Sequence, residues 1–357
     1  MGRIGRIESV DFFRFLAITA VVSIHTGPVY NGANMDAQSW HWLAAQINQL
    51  VRFAVPFFFV ISGYFWGVKV RNSSVVAAAT LASAKRLALL FVVWSVLYDL
   101  PDWYKEVLRG IADYGWLGVV KVTYWRLLSI IKDPLPFLTV GTMFHLWFFS
   151  ALLCSLAITS LCVWKKYHGF LIAVSISLFI VGLLAKSYVE TPFGIRMDFD
   201  TRNGPFFGTI FFVAGYYLAS FTPNSSWLSK GLAVFLFGLI LQSVEVYLLW
   251  TVYGTGSYDD FAMNQEYVIG TFFVGLGVSM AALSNHSFFR SKHLSNLGKF
   301  TLGIYVIHIF FVNLFQPVDE VYNSLSWEIG YVLLILFLSV TSVLLLSANK
   351  FTRWLVV

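Results

Sequence analysis

The sequence predicts an all-α integral membrane protein of about ten transmembrane helices, with both termini cytoplasmic. Of its 357 residues, 58% are hydrophobic and only 12% are charged, whereas a soluble domain carries about 25% charged residues. The mean hydropathy is +0.73. A single soluble core rarely grows beyond about 250–300 residues, so no soluble fold would bury this much apolar surface. The aromatic share of 18%, with 35 Phe and 13 Trp, suits helices whose ends sit in interfacial aromatic belts.

A membrane-crossing helix needs about 20 mostly apolar residues. Ten windows meet this, near residues 10–30, 52–69, 84–101, 143–164, 168–186, 204–221, 230–250, 267–285, 299–316 and 328–348. In the third, only twelve uncharged residues separate Arg86 from Asp99, so the helix is expected to start earlier, in the Ala-rich stretch from Val75. No repeat, low-complexity run or linker divides the chain, which reads as one domain over residues 1–357. The first window is not a cleavable signal peptide, since it holds Asp11 and Arg14, runs too long and lacks a small-residue cleavage site.

The net charge of +6 does not point to nucleic acid, because the basic residues sit in short loops where they set topology. With the N-terminus inside, the even-numbered loops carry Lys69, Arg71, Lys85, Arg86, Lys165, Lys166, Lys230, Arg290, Lys292 and Lys299, and the termini add Arg3, Arg6, Lys350 and Arg353. The short outer loops hold Asp259, Asp260, Glu266, Asp319, Glu320 and Glu328. The long 102–142 loop breaks the pattern, and its half-apolar middle, Ile111 to Ile131, is expected to lie along the outer surface. Cys154 and Cys162 share one apolar run, so no disulfide is expected. No His/Cys cluster has ligand spacing, so no metal is expected, and neither a GxSxG elbow nor a P-loop is present.

Ionisable groups inside a membrane are costly and are functional candidates by default. The first window carries Asp11, Arg14 and His25. Eleven residues are close to three helical turns, so Arg14 and His25 share a face about 16 Å apart along the axis. Arg14 falls near the cytoplasmic side and His25 near the opposite one. The bland alternatives are a snorkelling Arg14 and a His25 satisfied between helices. Other polar groups fall at the His25 level. Arg52 opens the second window, His145 the fourth, and Arg202 precedes the sixth. Glu245 lies in the outer half of the seventh and calls for a cation, with Arg52 or Arg202 as candidates. His145 reads equally as a helix cap, and His308, in the middle of the ninth, equally as a packing hydrogen bond.

The spacing from Arg14 to His25 resembles the signature of the membrane acyltransferase-3 family. Four further segments resemble it in the same order: Arg52, Pro56, Ser62, Gly63, Tyr64 and Phe65; His145 and Trp147; Phe211, Gly215, Tyr216 and Tyr217; and Gly298, Lys299, Gly303, Tyr305 and His308. The resemblance covers nearly the whole chain. It implies a multi-pass enzyme of the bacterial cytoplasmic (inner) membrane. Such an enzyme transfers an acyl group, by default acetyl from acetyl-CoA, to a surface glycan or lipid-linked sugar acceptor. Members often carry Arg-x-x-Arg before the third helix; here Lys85 and Arg86 are followed by Leu89 at the second position, and one ammonium does not reproduce a guanidinium fork. Some members add a soluble domain after the membrane part, and none is expected here.

Transfer to a sugar hydroxyl needs a base and donors for the developing oxyanion. His25 serves as that base or as a transient acyl carrier. Lys69, Arg71, Lys85 and Arg86 would meet the donor phosphates, with Arg14 beside the threaded arm, although Lys69 and Arg71 also serve topology alone. Asp11, Arg52, His145, Arg202, Glu245 and His308 are supporting or acceptor-binding candidates. The alternative is a transporter using Arg14, His25 and Glu245 as a substrate or proton relay, against which stand the lack of inverted halves and of paired broken helices.

Overall fold

The structure, a computed structural model, describes residues 6–27, 37–72, 76–322 and 324–356. Arg3, Val75, Val357 and the end of the first predicted window lie outside them. Among the described residues there are helices and no strands, as expected where lipid satisfies no backbone group and each segment must bond its own.

Helix α1 (Glu8–Thr26) begins with Glu8 and Asp11 in its first turn, where the helix dipole favours acids, and ends at Gly27, whose left-handed conformation (φ 56°, ψ 49°) returns its N–H to the Ser23 carbonyl. Next come α2 (Ala37–Val51) and α3 (Ala54–Asn72), the latter with Lys69 and Arg71 in its last turn. Helix α4 (Val76–Tyr114) is 39 residues long, about 58 Å, nearly twice the hydrocarbon thickness of roughly 30 Å. Helix α5 (Leu117–Lys132) folds back on it, and α6 (Pro134–Val140) leads to a 3-10 turn at Phe144–Leu146. Then follow α7 (Trp147–Trp164), α8 (His168–Leu184), α9 (Pro205–Leu218) and α10 (Ser226–Tyr253). The chain closes with α11 (Tyr258–Asn264), α12 (Ile269–Leu283), α13 (Lys292–Gly298), α14 (Thr301–Asp319) and α15 (Leu325–Ala348).

Every predicted window coincides with a helix, but their lengths differ. Among the described residues seven spans are long and apolar enough to cross a membrane, or eight if the α11–α12 pair, bent by 62°, counts as one span. Helices α8 and α9, with 17 and 14 residues, are apolar but shorter. The segment at 111–131 takes in the end of α4 and most of α5, which form a helical hairpin. The Gly110 and Gly118 backbones touch there, Arg126 reaches Asp99 and Glu106, and the Trp103 indole donates to Thr123 Oγ1 at 3.1 Å. The polar residues that ended the third window at Asp99 are thus inside α4, on its face toward α5.

The core gathers around α1, α3, α7, α9 and α14. Close backbone approach needs small residues, because lipid supplies no hydrophobic drive between helices. Gly63 of α3 lies against the Phe212 carbonyl of α9, Gly215 of α9 against the Val60 carbonyl of α3, and Gly231, Gly238, Gly270 and Gly277 line the α10–α12 contact. The opposite faces of α10 and α15 expose large apolar residues such as Leu236, Ile240, Leu333 and Phe337 along their length, the surface a bilayer covers. Gly298 abuts the Asp11 backbone and Gly303 abuts Val356, so the start of α1 and the last described residue lie at one end of the bundle.

A Cβ on Gly215 would stand 1.9 Å from the Val60 carbonyl oxygen, whereas one on Gly169 meets nothing within 4 Å. Gly215→Val should lower stability by about 1–3 kcal/mol, read as a fall in thermal unfolding midpoint in detergent, while Gly169→Ala should leave the midpoint in place.

Candidate active site

Asp11 is buried at 5% exposure. It takes Arg6 Nε at 2.7 Å on one oxygen and Arg14 Nη1 at 2.9 Å on the other. Arg6 also donates to the Ser295 carbonyl at 2.6 Å and to Asn296 Oδ1 at 3.2 Å. The carboxylate therefore ties the base of α1 to α13 and holds the Arg14 guanidinium, which lies 5.2 Å from the Phe65 ring centroid, over that ring.

Arg14 lines a cavity of about 590 Å³ between α1, α3, α4, α7 and α14. Its mouth carries Arg14, Lys69, Arg86 and Lys299, and no carboxylate is among its lining residues, so it favours an anion. The rest of its lining is largely apolar and aromatic, with Val21, Val55, Phe58, Leu152, Leu156, Phe212 and Leu302 joined by Phe148 and Tyr305. Of the four cations expected at a donor site, Lys69 and Arg86 reach the cavity. Arg71 instead bonds Ser220 and lies over Tyr216, and Lys85 is exposed outside the lining. Leu89 is 52% exposed and also outside it. Lys299 and Tyr305 entered the sequence reading only through the family resemblance and, for Lys299, topology, with no site role, although the 298, 301, 302, 305 spacing of the cavity-lining residues around α14 is that of one helical face.

One turn beyond Tyr305, three histidines meet. The His308 ring centroid is 5.3 Å from that of His25 and 5.6 Å from that of His145. His308 Nδ1 lies 2.7 Å from the Tyr305 carbonyl. A carbonyl only accepts, so this nitrogen carries the proton and Nε2 presents its lone pair. The Tyr305 hydroxyl donates to the His145 carbonyl, and the Tyr98 ring packs on His145 while its hydroxyl donates to the Val306 carbonyl at 2.7 Å. His145 and His308 are buried at 1% and 0% exposure, whereas His25 is partly exposed. Of the three, His25 is the least buried.

The remaining candidates gather in two groups. Arg202 lies over the Trp147 ring, 5.0 Å from its centroid, and bonds Glu266 at 2.8 Å, while Lys186 bridges Asp200 at 2.7 Å and Glu266 at 3.2 Å. Arg52 donates to Asn48 Oδ1 at 2.9 Å and to the Met263 carbonyl at 2.5 Å. Glu245 differs from the expectation of an arginine partner. It accepts from the Ile269 and Gly270 N–H groups at 2.8 and 3.0 Å and from the Tyr188 hydroxyl. The partner is thus the positive end of the α12 dipole, a charge no side chain announces. Burial and the Glu245 carboxylate together push the Tyr188 phenol well up, so it stays a donor. No group of three or more His, Cys, Asp or Glu suited to a metal occurs among the described residues.

A family model described as an acyltransferase domain matches residues 7–348. Among known proteins, two amino-acid racemases of Enterococcus faecalis are 29% and 28% identical over 228 and 260 residues, covering 61% and 67% of this chain and 28% and 33% of theirs. A serine/alanine racemase of Enterococcus gallinarum is 27% identical over 256 residues, covering 67% of this chain and 32% of its own. The chain thus spans about a third of the length of the curated relatives it matches. No solved structure matches it.

The ion cluster carries a pH signature. Burial pushes the Asp200 carboxyl up, but the Lys186 ammonium, the Arg202 backbone N–H and the Arg202 guanidinium outweigh it and hold the group below its ordinary value. The unfolded carboxyl titrates near about 3.9. Because the folded value is lower, the contribution is fully present above that pH and is lost as pH falls through the folded value. The difference in unfolding midpoint between wild type and Asp200→Asn should be constant near neutrality and shrink below about pH 4; a difference independent of pH would rule this out.

Proposed function

The chain belongs to the acyltransferase-3 family of membrane proteins, and from that premise we propose that it transfers an acyl group, acetyl by default, from cytoplasmic acyl-CoA to a hydroxyl of a cell-surface or lipid-linked carbohydrate. The observation that carries the reading is one cavity lined by cations around Arg14 and by Tyr305, which is one helical turn before His308, where His25 and His145 also meet. The Arg14 end is taken as cytoplasmic because basic loop residues gather on that side of the sequence, in the cytoplasmic (inner) membrane of a bacterium.

In this reading the donor phosphates sit among Arg14, Lys69, Arg86 and Lys299 as charge-assisted hydrogen-bond acceptors. The pantetheine arm runs along the apolar wall and brings the thioester carbonyl to the histidines. His25, the partly exposed imidazole, takes the proton of the acceptor hydroxyl as its oxygen bonds to the acyl carbon. The carbon–sulfur bond then breaks, and the CoA thiolate leaves and is protonated. Transient acylation of His25 gives the same products in two steps. The buried lone pair of His308 lies beside this imidazole and is suited to orient it. The racemase names describe proteins of which the aligned part is about a third, and their named reaction is not carried over to this chain.

Membranes holding the protein and native glycan should release CoA thiol from labelled acetyl-CoA, and the label should appear on glycan. His25→Ala should lower that release by at least about 10²-fold with an unchanged unfolding midpoint. Arg14→Ala should raise the KM for acetyl-CoA. Solute flux without thiol release would establish the transporter alternative in its place.

A further inference from the structure

The cavity is lined by Phe148 and Tyr305 but by none of the three histidines. Phe148, the second residue of α7, and Tyr305 of α14 meet edge to face with centroids 5.5 Å apart. Each is only 9% exposed. On the far side of Tyr305 lie the rings of His145 at 5.5 Å and His308 at 6.0 Å. Neither ring is free to swing without cost. The Tyr305 hydroxyl is bonded to the His145 carbonyl, and Phe148 is braced by the fully buried Phe59 at 4.9 Å. The pair therefore faces the cavity on one side while Tyr305 touches two of the imidazoles.

Resting on the acyl-CoA reading above, we propose that Phe148 and Tyr305 form a collar that selects the donor by acyl length, which makes them specificity-determining residues for short acyl groups. A donor whose thioester carbonyl reaches the histidines lays its acyl group against these two rings, and acetyl adds only one methyl there. Each further methylene has to push into rings already in contact or break the Tyr305 hydrogen bond. In a fitted pocket one methylene is worth about 10–200-fold in discrimination.

The test is binding to the purified full chain in detergent, measured by displacement of radiolabelled CoA with unlabelled CoA, acetyl-CoA and hexanoyl-CoA. Wild type should bind CoA and acetyl-CoA alike, and hexanoyl-CoA at least about tenfold more weakly. Tyr305→Ala and Phe148→Ala should each bring hexanoyl-CoA to within about threefold of acetyl-CoA, while Tyr305→Phe, which keeps the ring, should retain most of the discrimination. Phe148→Ala carries the test alone if Tyr305→Ala does not fold. Equal binding of the two esters by wild type, or an unchanged ratio in the folded alanine variants, would overturn the collar and leave the acyl-CoA reading standing. Absence of binding by every CoA compound would overturn that reading and the collar with it.

Discussion

A single buried carboxylate sets the geometry on which the rest of the molecule depends. An ionised group away from water is retained only when it is paired and hydrogen-bonded, and Asp11 meets this with two arginines, one on each oxygen. Arg6 carries the connection on to α13, and Arg14 is left facing the cavity. Beside this clamp, Gly298 allows the chain leading into α14 to touch the Asp11 backbone. Helices α1 and α14 therefore leave one end of the bundle together and run in the same direction until His25 and His308 meet at the other.

Those two helices carry matching stripes. On α1 the order is Arg14, Val21 and His25; along α14 and the residue before it, Lys299, Leu302, Tyr305 and His308 follow one another. Each stripe runs from a cation through apolar side chains to an imidazole, and the cavity lies between them. A lining with four cations and no carboxylate attracts an anion at one end only. The apolar stretch above it admits a thin uncharged arm more readily than a hydrated ion. Beside Tyr305, its hydroxyl and His308 Nδ1 are bonded to backbone carbonyls, while both ring nitrogens of His145 and Nε2 of His308 are buried without a hydrogen-bond partner among the described residues. The outer faces of α10 and α15, which do not line the cavity, stay apolar.

Much of this was legible in the residues. All ten predicted windows fall on helices because backbone in lipid has little alternative, and the Arg14–His25 face follows from helical periodicity alone. What stayed hidden was relational. Helix α4 runs past the charges that seemed to end it, because Asp99 and Glu106 are matched by Arg126, twenty or more residues later, on α5. Glu245 finds its counter-charge in the backbone of α12, which composition does not display. Lys299 and Tyr305 stood in the segment that carries the resemblance but had no site role until packing placed both on the cavity. The basic loop residues were indistinguishable in sequence, yet the structure turns Lys69 and Arg86 into the cavity and Arg71 and Lys85 away from it.

The central claim is that an anionic donor enters at Arg14 and presents its reactive end beneath the histidines. A structure of the full chain with bound CoA, determined by electron cryomicroscopy, tests it most directly. The account places the phosphates among Arg14, Lys69, Arg86 and Lys299 and the sulfur beside Tyr305. Phosphates bound at the opposite end of the bundle, or a sulfur directed away from the Tyr305 and His308 stripe, would contradict it.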